Sequence, residues 1–443
     1  MYDPLTDSHP EPKQGYPASY WASTIDTFPT PIELKQHIKT DIAIIGAGYT
    51  GLSAAYHLAS RYGKDVIVVD ANQPGWGCSG RNAGFVLPGT GRLSLLDMEQ
   101  KWGQETAMGV FNEYMLSIKS VEEMISIGQI ACDKTPGGYI KLAHRRAKVS
   151  ALRDQAEKLN KRFGESVRYL HSKQVARDFM NSANMYGGIY FDKCFGVNPL
   201  KLALGYHRMA ESAGAKVFSN SPVTKWQQVG NVHELTTPQG QVEAQQVIIA
   251  TNGYTGKDLH ETVDQRHFPV MSSIIVTRPL NENELASINM QEGLMGMDTR
   301  RMKYYYRLLP DNRILFGGRG AIKGKNANKA SNQKRLIDGL EATFPALKHI
   351  DISHFWSGWV SATFDNYPRI HSVENQGIHY SMGYCGSGLA FSTLAGQRLA
   401  QSICQPESLP DLPFWQSPLP KFPFSSLKRV GLSAYYAVAS VRN

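Results

Sequence analysis

The chain has few cysteines and no long apolar run. Five Cys occur in 443 residues, and no two form a C-x-x-C pair. That argues against a disulfide scaffold or a zinc site and fits a reducing compartment, so a cytoplasmic location and no metal are expected. No run of about 18 apolar residues is present to cross a bilayer. The opening MYDPLTDSHP is acidic and proline-bearing, with no basic segment leading into an apolar one, so no secretory leader is expected. The net charge is +9, but the charges are scattered, with local clusters at residues 144–148 and 323–334. A solvated surface accounts for this better than a nucleic-acid footprint, and no nucleic-acid partner is expected. What is present is apolar mass. At 42% hydrophobic and 10% aromatic, the chain can bury a large core in two or three domains or one composite unit.

One stretch organises the rest. Residues 40–70 read as strand, glycine turn, helix, strand. Residues 41–45 are a short apolar run of the kind buried on both faces of a parallel sheet. Gly46, Gly48 and Gly51 follow as G-x-G-x-x-G. Gly46 permits the tight turn, Gly48 lets a pyrophosphate approach the backbone, and Gly51 allows close helix–strand packing. The helix opening at Tyr49 and Thr50 presents free N–H groups and its positive dipole end to that pyrophosphate. Asp70 ends the second strand 19 residues after Gly51, where it can accept bonds from ribose hydroxyls. The alternative, a purely structural glycine turn, lacks a reason for the acid at that distance. No second G-x-G-x-x-G occurs, so a separate nicotinamide site is not expected.

Residues 1–36 read as an irregular arm, pinned to the body by Tyr20 or Trp21. After Asp70, the loop from Ala71 carries Ser79, Gly80, Arg81, Asn82 and Ala83. It follows the ribose-binding strand directly. Ser79, Arg81 and Asn82 are therefore placed to bond phosphate or ribose, and Gly84 to pack on a flat ring. Helical spacing dominates residues 102–128 and 148–163, with a strand at 137–143 between them. Past the buried strand at 247–250, Thr251, Asn252 and Gly253 sit at a strand's carboxyl end, where open α/β sheets bind ligands. Residues 304–309 and 313–318 form a hairpin in which Tyr304 and Tyr306 share one face. Facing the site, they would line a substrate channel; the alternative is that they are core. Residues 323–334 read as an exposed loop, and 427–443 as a short basic amphipathic helix that docks on the body or rests on a membrane surface.

The glycine motif, the acid after it and G-x-S-G-R-N-x-G together resemble the D-amino-acid-oxidase-like superfamily of FAD enzymes. The early S-Y-W-A-S-T, the segment Y-Y-Y-R-L-L-P-D-N-R-I-L-F-G-G and the late G-Y-C-G-S-G most resemble its γ-glutamylputrescine oxidase group. The resemblance covers nearly the whole chain. It implies an α/β fold: a Rossmann-like parallel sheet binding FAD, built from discontinuous segments at 37–92, 196–266 and 351–404. An α+β substrate domain with a mainly antiparallel sheet would take 93–195 and 267–350, leaving a proline-rich stretch and terminal helix at 405–443. The resemblance puts the adenine edge on Val223 and the flavin on the helix entry Gly386, Ser387, Gly388 and Leu389.

In residues 354–370 the superfamily pattern W-x-G-x-x-x-x-T-x-D-x-x-P-x-I is recognisable. Glycine- and D-amino-acid-oxidase-like members carry a carboxylate-gripping Arg two residues past the glycine; here that position is Val360. Sarcosine-oxidase-like members carry a flavin-linking Cys in the segment; residues 357–365 hold none, so non-covalent FAD is expected. The branch's oxygen-activating Lys has no match in residues 314–316. The expected chemistry is amine oxidation. Hydride passes to FAD, the imine hydrolyses to aldehyde and ammonia, and dioxygen becomes hydrogen peroxide. Tyr304, Tyr306 and Trp359 are expected at the reacting end. A small-molecule amine and dioxygen are the expected partners. The alternatives are a secondary or cyclic amino-acid oxidase using Arg307 or Arg319 for the carboxylate, a membrane-surface dehydrogenase, and a non-catalytic FAD-binding protein.

Overall fold

In the computed structural model, which describes residues 1–183, 185–424 and 427–442, the apolar run 41–45 lies mid-sheet. Strand His37–Ile45 pairs in parallel with Val66–Val69 on one side and Gln241–Ile249 on the other. Lys216–Phe218 and Ile378–Met382 extend the parallel set outward. Side chains alternate between two packed layers, so the run has no polar face. Ile42, Ile44, Val66 and Val68 face helices Tyr49–Tyr62, Pro199–Ser212 and Leu389–Cys404. Ala43, Ile45, Ile67 and Val69 face Leu34, Trp226 and Leu235.

The strand expected at 247–250 is the end of a longer one, Gln241–Ile249. The first half of Gln241–Ile249 pairs antiparallel with Val232–Thr236, and its last residues pair parallel with Ile378–Met382. Lys225–Val229 adds an outer strand. It is almost wholly exposed, so no burial pattern marked it.

The second sheet runs in the order Ile352–Ala362, Phe268–Thr277, Ile314–Arg319, Tyr305–Leu308, Met295–Asp298, Tyr139–Leu142, Gly187–Phe191, Arg168–His171. Only the Met295–Asp298/Tyr139–Leu142 pair is parallel. One sheet thus unites chain portions far apart in sequence. Ile352–Ala362, expected to open a nucleotide-binding segment at 351, is instead this sheet's edge strand, paired along Phe268–Thr277. The chain regains the first sheet only at Arg369–Val373. The basic stretch 323–334 is not all loop. Helix Ala330–Thr343 begins inside it, and buried Asn332 donates from Nδ2 to the Asn326 carbonyl at 2.7 Å.

Helices Tyr49–Tyr62 and Leu389–Cys404 are joined at close range. A Cβ at Gly396 would stand 2.5 Å from the Thr50 carbonyl oxygen. Ser53 Oγ donates to the Thr393 carbonyl at 2.7 Å, and Thr50 and Ser381 both bond the Tyr384 hydroxyl at 2.8 Å. The arm is pinned by two indoles. Trp21 donates to the Asn82 carbonyl, and Trp359 donates to that of Tyr2.

Candidate FAD and substrate cavity

A cavity of about 1310 Å³ opens between the two sheets. Four stretches far apart in sequence meet on its wall: Gly46, Gly48, Tyr49 and Thr50; Asp70 and Ala71 with Ser79, Arg81, Asn82 and Ala83; Val223 with Thr251, Asn252 and Gly253; and Gly386, Ser387, Gly388 and Leu389. Gly51 and Gly80 lie behind this wall. A Cβ on Gly51 would stand 2.0 Å from the Gly46 carbonyl oxygen, and one on Gly80 2.4 Å from that of Gly75. Gly46 has φ +111°, and its Cβ would meet the Ala250 oxygen at 2.9 Å, so turn geometry and strand packing both demand glycine.

The polar groups of this wall have defined partners. Asp70 accepts from the Ala47 N–H at 2.7 Å and the Asn72 N–H at 2.9 Å. Burial outweighs these bonds and raises its pKa to about 6. Ser79 Oγ accepts from the Tyr49 N–H at 3.0 Å, and it is this oxygen that a Cβ on Gly48 would meet, at 2.9 Å. Arg81 is committed to the protein. Its Nε donates to the Trp76 carbonyl at 2.7 Å, its Nη1 to that of Ser357 at 3.2 Å, and its guanidinium lies 4.3 Å from the Trp76 ring centre. Asn82 Nδ2 donates to the Cys78 and Ser79 carbonyls, which shapes the loop. Asn252 Oδ1 accepts from the Gly383 N–H at 3.0 Å, tying the strand-end turn to the late glycine turn.

Helices Tyr49–Tyr62 and Leu389–Cys404 start at Gly48 and Gly388, neither of which can supply a side-chain cap. Both positive ends line the cavity; the Tyr49 N–H is taken by Ser79 Oγ, and other first-turn N–H groups are left to offer an anion. Two helix N-termini, a glycine cradle and an acid among backbone donors fit a dinucleotide carrying a pyrophosphate and a ribose.

The tyrosine row is turned the other way from expectation. Tyr305, not Tyr304 or Tyr306, lines the cavity, and its hydroxyl bonds Ser272 Oγ at 2.7 Å. Tyr306 stacks on Phe316 with ring centres 5.6 Å apart, and Tyr304 packs on the same ring at 5.0 Å. Both belong to the core under helix Ala330–Thr343. Trp359 is likewise buried behind the wall, while its strand neighbours Gly358, Val360 and Ala362 line it. Alternation placed these residues in pairs but left open which face met the cavity.

Val360 faces the late glycine turn; its Cγ2 lies 4.0 Å from where a Gly386 Cβ would be. Arg307 is buried outside the cavity, donating from Nη1 to the Gly84 carbonyl at 3.1 Å, and burial lowers its pKa to about 10. Arg319 does line the cavity, 4.5 Å from the ring centre of Tyr436. Cys385 lines it too. Burial pushes its thiol up, and Sγ sits 3.3 Å from the Gly383 carbonyl oxygen.

Several lining groups carried no sequence signal. Lys141, Lys303, Arg92 and Glu165 reach the cavity, and helix Lys428–Arg442 lies over it through Leu432, Tyr435 and Tyr436. That helix is held by Lys428 Nζ donating to the His267 carbonyl at 3.0 Å and by an Arg429–Asp3 ion pair. Among the described residues, no helix is long and apolar enough to cross a membrane.

Residues 41–402 match the sequence model of the DAO family, described as FAD dependent oxidoreductase. The chain belongs to this family of flavoenzymes, and FAD is the dinucleotide its cavity fits. Among individual proteins, it is similar to the gamma-glutamylputrescine oxidoreductase of Escherichia coli (strain K12). The two are 30% identical over 430 residues, spanning 95% of this chain and 97% of that protein. It is 29% identical over 391 residues to a probable oxidoreductase OrdL of Haemophilus influenzae, covering 87% of each. The crystal structure of glycine oxidase from Geobacillus kaustophilus shares the fold. Its TM-score is 0.71 at 19% identity, over 86% of this chain and 98% of that one.

Proposed function

We propose that the protein is an amine oxidase that acts on the free amine end of γ-glutamylputrescine or a close analogue. The observation that carries this reading is Val360, an apolar wall residue beside Gly386. An α-amino acid held in the glycine-oxidase pose would lose its bidentate carboxylate partner there. The E. coli relative supports the choice of substrate.

FAD held by Gly46, Gly48, Asp70 and Gly386 would supply a hydride acceptor for the amine carbon and pass the two electrons on to dioxygen, giving hydrogen peroxide; water would convert the resulting imine to aldehyde and ammonia. The chain's own part is positioning and desolvation. An alkylammonium has a pKa of about 10 in water. Beside Val360, Ile274 and Tyr305, burial favours the neutral amine that can react, so no strong base is required. The uncapped helix end at Leu389 favours negative charge on the cofactor. Residues 357–365 hold no Cys, which fits non-covalent FAD. Five free cysteines fit a reducing, cytoplasmic setting.

Anaerobic mixing with γ-glutamylputrescine, putrescine, L-pipecolate, sarcosine and D-amino acids tests the reading. We expect γ-glutamylputrescine to bleach the flavin fastest, with peroxide formed on aeration. Bleaching by L-pipecolate but not by γ-glutamylputrescine would instead favour a cyclic amino-acid oxidase, with Arg319 as carboxylate partner.

A further inference from the structure

Away from Val360 the cavity wall changes character. Lys141 on strand Tyr139–Leu142, Lys303 in the loop before Tyr305–Leu308 and Arg92 after Phe85–Val86 all line it. They lie close enough to repel: Lys303 acts on Lys141, and Arg92 acts on Lys303. None of the three forms an ion pair among the described residues. Lys141 Nζ has a neutral partner, donating to Gln155 Oε1 at 3.0 Å. The carboxylate that acts on Lys303 is Asp298, already paired with Arg300 and bonded to the Arg300 and Tyr304 N–H groups. Burial, with Lys303 beside it, lowers the Lys141 pKa to about 8. Lys141 is half-buried while Lys303 and Arg92 reach solvent, so the three form a cationic rim to the cavity that an anion would complete.

The cavity's 1310 Å³ exceeds the ~300–1,000 Å³ of an ordinary small-ligand site, leaving room for an extended substrate besides the cofactor.

We infer that this wall reads an amino-acid head at the end of the substrate remote from the oxidised carbon. Lys141, Lys303 and Arg92 take its carboxylate. The inference rests on the amine-oxidase reading and gives it a specificity device. A carboxylate is recognised, but by side chains other than the one at Val360's position.

The test uses the FAD-loaded enzyme and γ-glutamylbutylamide, which has the head but no amine to oxidise. Isothermal titration should show binding to the wild type. Lys141→Gln and Lys303→Gln should each weaken it by about tenfold or more, the loss of one charge-assisted bond. Lys303→Arg should retain it, and butylamine should bind all variants alike. Lys303 sits in an exposed loop, so its variants do not depend on how Lys141 packs. Equal affinity in wild type and variants, no binding to the wild type, or loss of FAD from the variants would each overturn the inference. No turnover is involved. A failure of γ-glutamylputrescine to bleach the flavin would count against the proposed reaction and leave this measurement intact.

Discussion

Asp70 joins cofactor binding to pH. Its folded pKa, raised by burial to about 6, stands above the ordinary carboxylate value. The stabilising contribution of its protonated form is full below the unfolded pKa of about 4 and disappears as pH rises through about 6. Ribose hydroxyls donating to Asp70 would favour the ionised form. FAD binding should therefore expel a proton and weaken as pH falls through about 6, and Asp70→Ala should flatten that dependence. Flavin fluorescence titrations at pH 5 and 7 measure both effects. The tyrosine row gives a sharper contrast. Tyr305→Phe removes the bond to Ser272 and should raise KM about three- to tenfold, whereas Tyr306→Phe, in the core, should leave KM alone. Steady-state peroxide assays distinguish them. This is also where the sequence stopped being legible. Period-two spacing grouped Tyr304 with Tyr306. Only the layer covering the far face, helix Ala330–Thr343, decides which side of that strand meets the cavity.

The helices that open on the cavity are set by polar clamps as much as by apolar contact. Glu113 on helix Gln104–Ile127 takes Arg398 of helix Leu389–Cys404 in a two-pronged pair, at 2.9 and 2.5 Å, with both side chains nearly buried. Glu113→Ala would leave a buried guanidinium without its anion, at a cost of about 3–5 kcal/mol. We expect a clear fall in thermal midpoint, read by differential scanning fluorimetry. Helix Lys428–Arg442 acts as a cover. Ending the chain before Leu427 should expose the flavin, and iodide should then quench its fluorescence more strongly than in the intact protein. The sequence marked this helix by its amphipathic pattern but could not say what lay beneath it. The same limit explains Lys225–Val229, too exposed to show a pattern, and Ile352–Ala362, whose apolar residues suit either sheet.

The whole fold brings distant segments to one cofactor. The parallel sheet, its glycine turn and the late helix entry were legible because pyrophosphate binding demands particular residues at particular spacings. The cationic wall was not, because Lys141, Lys303 and Arg92 are brought together only by sheet order. A ligand touching all these segments should stabilise them together. At about 100 times its Kd, FAD should add ~2.7 kcal/mol to the stability of stripped protein, a rise in midpoint that a cofactor titration can follow. The cover helix has a further consequence for the order of events in the cell. Residues 427–442 leave the ribosome after every other described wall of the cavity has been made. FAD should therefore be able to enter before the cover helix docks.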